Sequence, residues 1–362
     1  MDDEGTDVVG ALKDGVVGHS QNLSIDFEHP AHFKKDISLL FNKLRDYQGL
    51  ILDWRLDETA DEGNKRFIFR AGALAQEIRT REAEKKFLSI PIVIWSEQDR
   101  LKKSYQNDSS SHDLFDKVYK KEDIADNPAT IREQLVALAN GYKTIQTFRQ
   151  KNRVFKLNEL LKVDEEYVDI RVQEHFTAST RTTREIARFI IRELLERPGL
   201  LIDELRLASR FGIDKGVSKD WKKILKSVEK HQYSGPFGEA WERWWAFGVE
   251  KKWWLQISGQ NLPLSSLNAK QRVDILRKKT GFKNLITAEP IKPQYHSRFY
   301  TICEYTKRPL DPVDGVIIAE KEPQPWQERK YISLDIALER REGFEPHSTE
   351  IERLKSLRRA RG

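Results

Sequence analysis

Two stretches decide the fold: Gly49-Leu50-Ile51-Leu52-Asp53-Trp54 and its later counterpart, Ile90-Pro91-Ile92-Val93-Ile94-Trp95. Each is strand-length, mostly apolar and rich in β-branched or aromatic residues. The second has almost no polar alternation, as expected of a strand buried on both faces of a parallel sheet. Working outward, Leu23-Ser24-Ile25-Asp26-Phe27 reads as an earlier strand and Phe115-Asp116-Lys117-Val118-Tyr119 as a later, weaker one. Helix-period segments separate them. Ala31 to Tyr47 carries Phe33, Ile37, Leu40, Phe41 and Leu44 along one face, and Arg70 to Arg81 repeats the pattern through Ala71, Leu74, Ala75 and Ile78. A last helix is predicted from Asn127 to Ala139, with Asn127 as cap and Pro128 in the first turn. Residues 107–111 read as a loop. Strands alternating with helices predict an α/β domain, a doubly wound parallel sheet.

In such a sheet, ligands bind outside the carboxyl ends of the strands. Asp53 ends one predicted strand, Ser96 follows another, and Lys120 follows Tyr119. Asp2, Asp3 and Glu4 lie ahead of them. A carboxylate can attack a phosphoryl group and hold it as an acyl phosphate. Neighbouring carboxylates suit Mg²⁺, and a hydroxyl with an ammonium can take the remaining phosphoryl oxygens. Each residue alone has an ordinary reading: a turn aspartate, a helix-capping serine, a solvated lysine and a frayed acidic terminus.

Taken together, Asp2-Asp3, Leu52-Asp53, Ser96 and Lys120 resemble, in order and spacing, the receiver domains of two-component response regulators. The resemblance covers about a third of the chain. It implies a flavodoxin-like fold, with Asp53 as phosphoacceptor and Ser96 as the switch hydroxyl. Lys120 would be the phosphate-contacting lysine. Mg²⁺ would be held by Asp53 and Asp3, with Asp2 or Glu4, and by the backbone carbonyl of Arg55. It also implies a phosphorelay partner, a histidine kinase or an ATPase-like protein. Atypical receivers with unassigned output regions resemble components of bacterial conflict or phage-defence gene clusters. The sequence departs from the family at Asp57, where proline is usual, at Lys121, again in place of proline, and at Lys117 in the aromatic switch position. These departures motivate a second reading, a non-phosphorylated pseudo-receiver that serves as a docking scaffold.

In the family the acidic pair follows a central first strand, so four to six apolar residues are expected ahead of Met1. A competing alignment makes Leu23 to Phe27 that first strand and Asp26 with Glu28 the acids.

The alternation stops after Thr144. The predicted organisation is a receiver-like domain over residues 1–126, a helical linker over 127–160, a helical domain over 161–260 and a basic mixed region over 261–362. Thr183 to Glu196 is amphipathic and ends at Pro198-Gly199, and Glu350 to Arg361 reads as a basic helix. Residues 285–335 read as loops with a few strands such as Val316-Ile317-Ile318. Leu200 to Phe211 followed by Ser218 to Lys230 forms a candidate helix-turn-helix, with Lys222, Lys223 and Lys226 toward phosphates. Trp241, Trp244 and Trp245 fall on one face of a predicted helix, and with Trp253 and Trp254 read either as core or as a stacking platform for bases. Nucleic acid is therefore a candidate partner through residues 177–300.

Composition narrows the classes. The net charge of +6 divides into −4 over residues 1–150 and +10 over the remainder, with about +8 in residues 251–300. With one cysteine, Cys303, a disulfide framework or a cysteine-based zinc site within the chain is excluded. Cys303 with Pro309-Leu310-Asp311-Pro312 resembles only half a zinc knuckle, and His175, His231 and His296 stand isolated. The single cysteine favours a reducing, cytoplasmic setting, and no run of about 18 apolar residues occurs, so no spanning helix is expected. Walker-type phosphate loops and GxSxG motifs are absent.

Overall fold

A computed structural model describes residues 1–2, 6–30, 38–56, 70–84, 88–98, 101, 112–152, 154–179, 182–259, 262–339 and 343–361. The chain divides into two units. The first comprises residues 1–160, 176–191 and 235–241, and the second residues 161–175, 192–234 and 242–362. The segment expected as a linker thus belongs to the first unit, because the helix Pro128–Lys151 buries Ile131, Leu138, Tyr142 and Ile145.

The first unit runs α1 (Thr6–Val17), α2 (Ser38–Leu44), β1 (Leu50–Asp53), α3 (Ala71–Ala83), β2 (Ile92–Ser96), β3 (Lys117–Lys120), α4 (Lys121–Asp126), α5 (Pro128–Lys151) and α6 (Thr183–Phe189). The strands form a parallel sheet in the order β1-β2-β3. Leu52 lies opposite Ile94, Asp53 opposite Trp95, and Ser96 opposite Lys120. Side chains alternate across the pleat. Leu50, Leu52, Ile92 and Ile94 therefore meet Leu40, Phe41 and Leu44 of α2 and Leu74 and Ile78 of α3 in one core. Ile51, Val93 and Trp95 point the other way, toward Val9 of α1 and Leu135 and Leu138 of α5. Helices cover both faces, as the unbroken apolar strands require.

Two expectations change here. Leu23 to Phe27 is not a strand; it forms no ladder among the described residues. In its place Met1 pairs with β1: the Met1 ammonium donates to the Ile51 carbonyl (2.6 Å), and the Asp53 N–H donates to the Met1 carbonyl (3.0 Å). That is a single parallel bridge opposite Leu52. Asn127 precedes α5 as predicted, but its side chain makes no capping bond. The expected loop at 107–111, Asp57, and the first part of the Ala31–Tyr47 helix lie outside the described residues.

At the opposite end of the sheet from Asp53, a buried ionic cluster ties three elements together. Arg79 of α3 pairs with Asp116 and Glu82 (both 2.9 Å), and donates to the carbonyls of Ile90 and Leu114. Asp116 also accepts from the Ile92 N–H (2.8 Å) and the Tyr142 hydroxyl (2.5 Å).

The second unit carries β4 (Leu201–Ile202), α7 (Glu204–Phe211), α8 (Trp221–Ser227), β5 (Trp244–Trp245), α9 (Ala269–Thr280), β6 (Thr301–Ile302), β7 (Pro309–Leu310), β8 (Gly315–Ile317), β9 (Tyr331–Ser333) and α10 (Ile351–Arg361). Its strands form small antiparallel pairs. Trp244 and Trp245 are strand residues facing Ile202 and Leu201, not helical ones. Trp244, Trp245, Trp253 and Trp254 are all buried, as is Trp241 of the first unit, so they form core and offer no stacking face. The candidate helix-turn-helix resolves into α7 and a two-turn α8 separated by residues 212–220. Trp221 and Ile224 are buried, while Lys223 and Lys226 pair with Asp220 and Glu229. Arg210 is fully buried between Glu250 and Glu328, under the Tyr300 ring. Arg272, equally buried, donates to the carbonyls of Leu264, Arg210 and Phe299. Cys303 is buried against Ser333 in a separate small core with Leu310, Val316, Ile332 and Leu354. His231 is buried beside Tyr167, and His296 pairs with Asp314.

Candidate functional site

Each strand of the parallel sheet delivers one group to its carboxyl end. Asp53 is the last residue of β1, and Ser96 the last of β2. Lys121 is the first residue of α4, directly after β3. The Ser96 hydroxyl donates to Asp53 Oδ1 at 2.6 Å. The Lys121 ammonium donates to Asp53 Oδ2 at 3.2 Å and lies 3.0 Å from Asp2 Oδ2. Asp2 arrives because the Met1 bridge extends the sheet by one residue beyond β1. Asp2, Asp53 and Ser96 are fully buried and Lys121 nearly so.

Among the described residues the site therefore holds the Asp2 and Asp53 carboxylates against the Lys121 ammonium, with the Met1 ammonium also close enough to feel both. Burial pushes the Asp53 carboxyl up to about 6, and the Asp2 charge adds to this. Lys121 and the Ser96 hydroxyl pull it back. Burial lowers the Met1 ammonium to about 6 against the opposing pull of Asp2 and Asp53. Like charges in one poorly hydrated place disfavour a second ionised carboxylate, and a cation there removes the penalty.

Asp2, Asp53 and Ser96 lie together around the Lys121 ammonium and the Asp53 carboxylate. Lys120 does not: the lysine on Asp53 is Lys121. Lys120 is still extended and still in the ladder opposite Ser96, whereas the chain turns into α4 at Lys121. Glu122 and Asp123, acidic residues in the first turn of that helix, mark its start and were the available sequence signal. Arg55 follows the strand end and is half-buried. Asp3 and Glu4 lie outside the described residues. The rival acids are elsewhere: Asp26 accepts from the Tyr47 hydroxyl (2.6 Å) and Glu28 pairs with Lys43.

The donor set fits Mg²⁺ in part. Asp2 and Asp53 supply two carboxylates at one cation position, and Mg²⁺ is commonly held by one or two carboxylates with water and phosphate oxygens. Among the described residues no cluster of three metal-ligating side chains occurs. No helix of the described residues is long and apolar enough to cross a membrane. No protein-family model matches the chain, and no curated protein or solved structure matches it either.

Proposed function

We propose that the first unit is a receiver-like signalling domain of flavodoxin type, in which Asp53 accepts a phosphoryl group from a partner kinase or a small phosphodonor. The observation that carries this reading is the convergence of Ser96 and Lys121 on the two oxygens of Asp53, with Asp2 beside them. In the step, an Asp53 Oδ attacks the phosphorus and a new P–O bond forms. The bond from phosphorus to the donor's imidazole nitrogen or acyl oxygen breaks, and the donor leaves with that electron pair. Lys121 and Ser96, released from the free carboxylate, take phosphoryl oxygens. Asp2 and Asp53, with Asp3 and the Arg55 carbonyl, are the groups that would hold Mg²⁺, whose charge offsets the repulsion between acceptor and donor. Moving Ser96 and Lys121 between two anions is the local event that would bias docking of a partner or of the second unit.

The full chain incubated with acetyl phosphate and Mg²⁺, then reduced with borohydride, should yield homoserine at position 53 by mass spectrometry. Asp53→Asn should abolish it. Absence of any adduct in the wild-type chain sinks the reading. It then leaves the docking scaffold, which the complete burial of Asp53 favours.

A further inference from the structure

A cavity of about 120 Å³ lies within the second unit, at one end of the β4–β5 pair. Four cations line it, Arg197, Arg206, Arg243 and Lys330, together with three carboxylates. The antiparallel register that sets Ile202 opposite Trp244 brings Asp203, at the start of α7, and Arg243, ahead of β5, to that end. Two of the carboxylates are engaged. Asp203 accepts from the Arg206 guanidinium and, at 2.8 Å, from the Arg206 N–H. Glu304 accepts from Arg206 and, at 2.8 Å, from Lys307. The third, Glu196, is exposed. Arg197 and Lys330 share a single carboxylate, Glu320, with Lys330 at 3.7 Å. Arg243 is held differently. Its Nε donates to the Leu195 carbonyl and its Nη1 to the Glu242 carbonyl, both at 2.8 Å. It forms no ion pair among the described residues, and its Nη2 has no acceptor there. Burial lowers this guanidinium from its ordinary value against the pull of Asp203, and Arg206 adds to the effect. Arg206 is itself more than nine-tenths buried, and its Nε meets no acceptor among the described residues. What the walls lack is thus a counter-charge and hydrogen-bond acceptors.

We propose that this cavity binds a phosphate group, either the free ion or the terminal monoester of a larger ligand, with Arg243 as the principal contact and Arg197 and Lys330 beside it. A tetrahedral oxyanion supplies the missing charge and several acceptors at once, and hydrogen bonds between ionised partners are the strong ones. Arginine presents phosphate with a planar fork of donors, and two backbone carbonyls already fix the plane of Arg243. Size selects the same occupant. One water takes about 10–15 Å³ of such space, so a phosphate with a few waters fits. The volume is far below the roughly 300–1,000 Å³ that encloses a drug-sized ligand, so the rest of a larger molecule stays outside. A cationic ligand would compete for carboxylates that Arg206 and Lys307 already hold. An apolar one would find Leu195 and Leu201 buried behind the charged side chains.

The test titrates the full chain with inorganic phosphate, glycerol phosphate and acetate by calorimetry, with EDTA present and roughly 0.15 M sodium chloride to screen exposed charges. We expect saturable binding of phosphate and at least tenfold weaker binding of acetate. Glycerol phosphate at or above the affinity of phosphate identifies a monoester as the source, and below it the free ion. Arg243→Gln should weaken phosphate at least tenfold; should it fail to fold, Lys330→Met, at a half-buried position, should weaken it at least threefold. Lys279→Met, which removes an exposed lysine outside the cavity, and Asp53→Asn should bind as wild type. The proposal is overturned if phosphate shows no saturable binding, if acetate matches it, or if Lys279→Met costs as much as the cavity variant. Loss of binding in Asp53→Asn would put the anion in the first unit and overturn it equally. Failure of Asp53 to take up a phosphoryl group leaves it standing, so the two readings fail separately.

Discussion

Asp53 ends β1 without solvent exposure, and its carboxyl keeps its proton up to about pH 6. The sign of the linkage follows. The folded value lies above the ordinary one of 3.8, so the stabilisation is complete below about 3.8 and is lost as pH rises through about 6. A displacement of this size corresponds to roughly 3 kcal/mol. Urea unfolding of the wild type should therefore lose stability between pH 4 and 6, and Asp53→Asn should flatten that slope. Equal slopes for the two proteins would mean that Asp53 titrates as an exposed carboxylate does. The Met1 ammonium, lowered to about 6, acts in the opposite sense between pH 6 and 8, outside this window. The two lysines are separable in the same site. Lys121→Met should cut acetyl-phosphate labelling of Asp53 at least tenfold, and Lys120→Met should leave it within twofold. A reversal of that order would return the role to Lys120.

At the scale of elements, the cluster of Arg79, Asp116 and Tyr142 holds α3, the approach to β3 and α5 to one point. Arg79→Met leaves the Asp116 carboxylate buried without its cation, and removal of one partner of a buried pair costs about 3–5 kcal/mol. The midpoint of urea unfolding should fall accordingly, and an unchanged midpoint would show that Tyr142 and the Ile92 N–H suffice. The sequence revealed β1, β2 and α3 because long apolar runs and a 3.6-residue period admit few alternatives. It did not reveal this cluster, since residues 79, 116 and 142 are joined only by the fold. Trp241, Trp244 and Trp245 misled because their spacing suits a helix, while the pairing of Trp244 and Trp245 with Ile202 and Leu201 depends on a distant partner. Leu23 to Phe27 has strand-forming residues but forms no ladder among the described residues. The lysine was misplaced by one position because the exact end of a strand is the least legible part of a periodic pattern.

Over the whole molecule, the first unit does not end where the strand–helix alternation ends. It draws on α5, on residues 176–191 and on residues 235–241. A fragment of residues 1–126 removes the helix that lies over Ile51, Val93 and Trp95, and should show no cooperative thermal transition; a sharp one would make α5 dispensable. The basic count of the second unit overstates its free charge, because Arg272 is spent on backbone carbonyls and burial lowers it to about 10, while Arg277 bonds the Leu285 carbonyl. The sole cysteine has a further use. Cys303 sits sealed in its own small core, so a thiol-specific dye can reach it only when that core opens. Its labelling rate is thus a single-site record of how often the second unit breathes, readable in the natural sequence without an engineered probe. The rate should be negligible in buffer and climb with urea ahead of or together with the loss of helical signal.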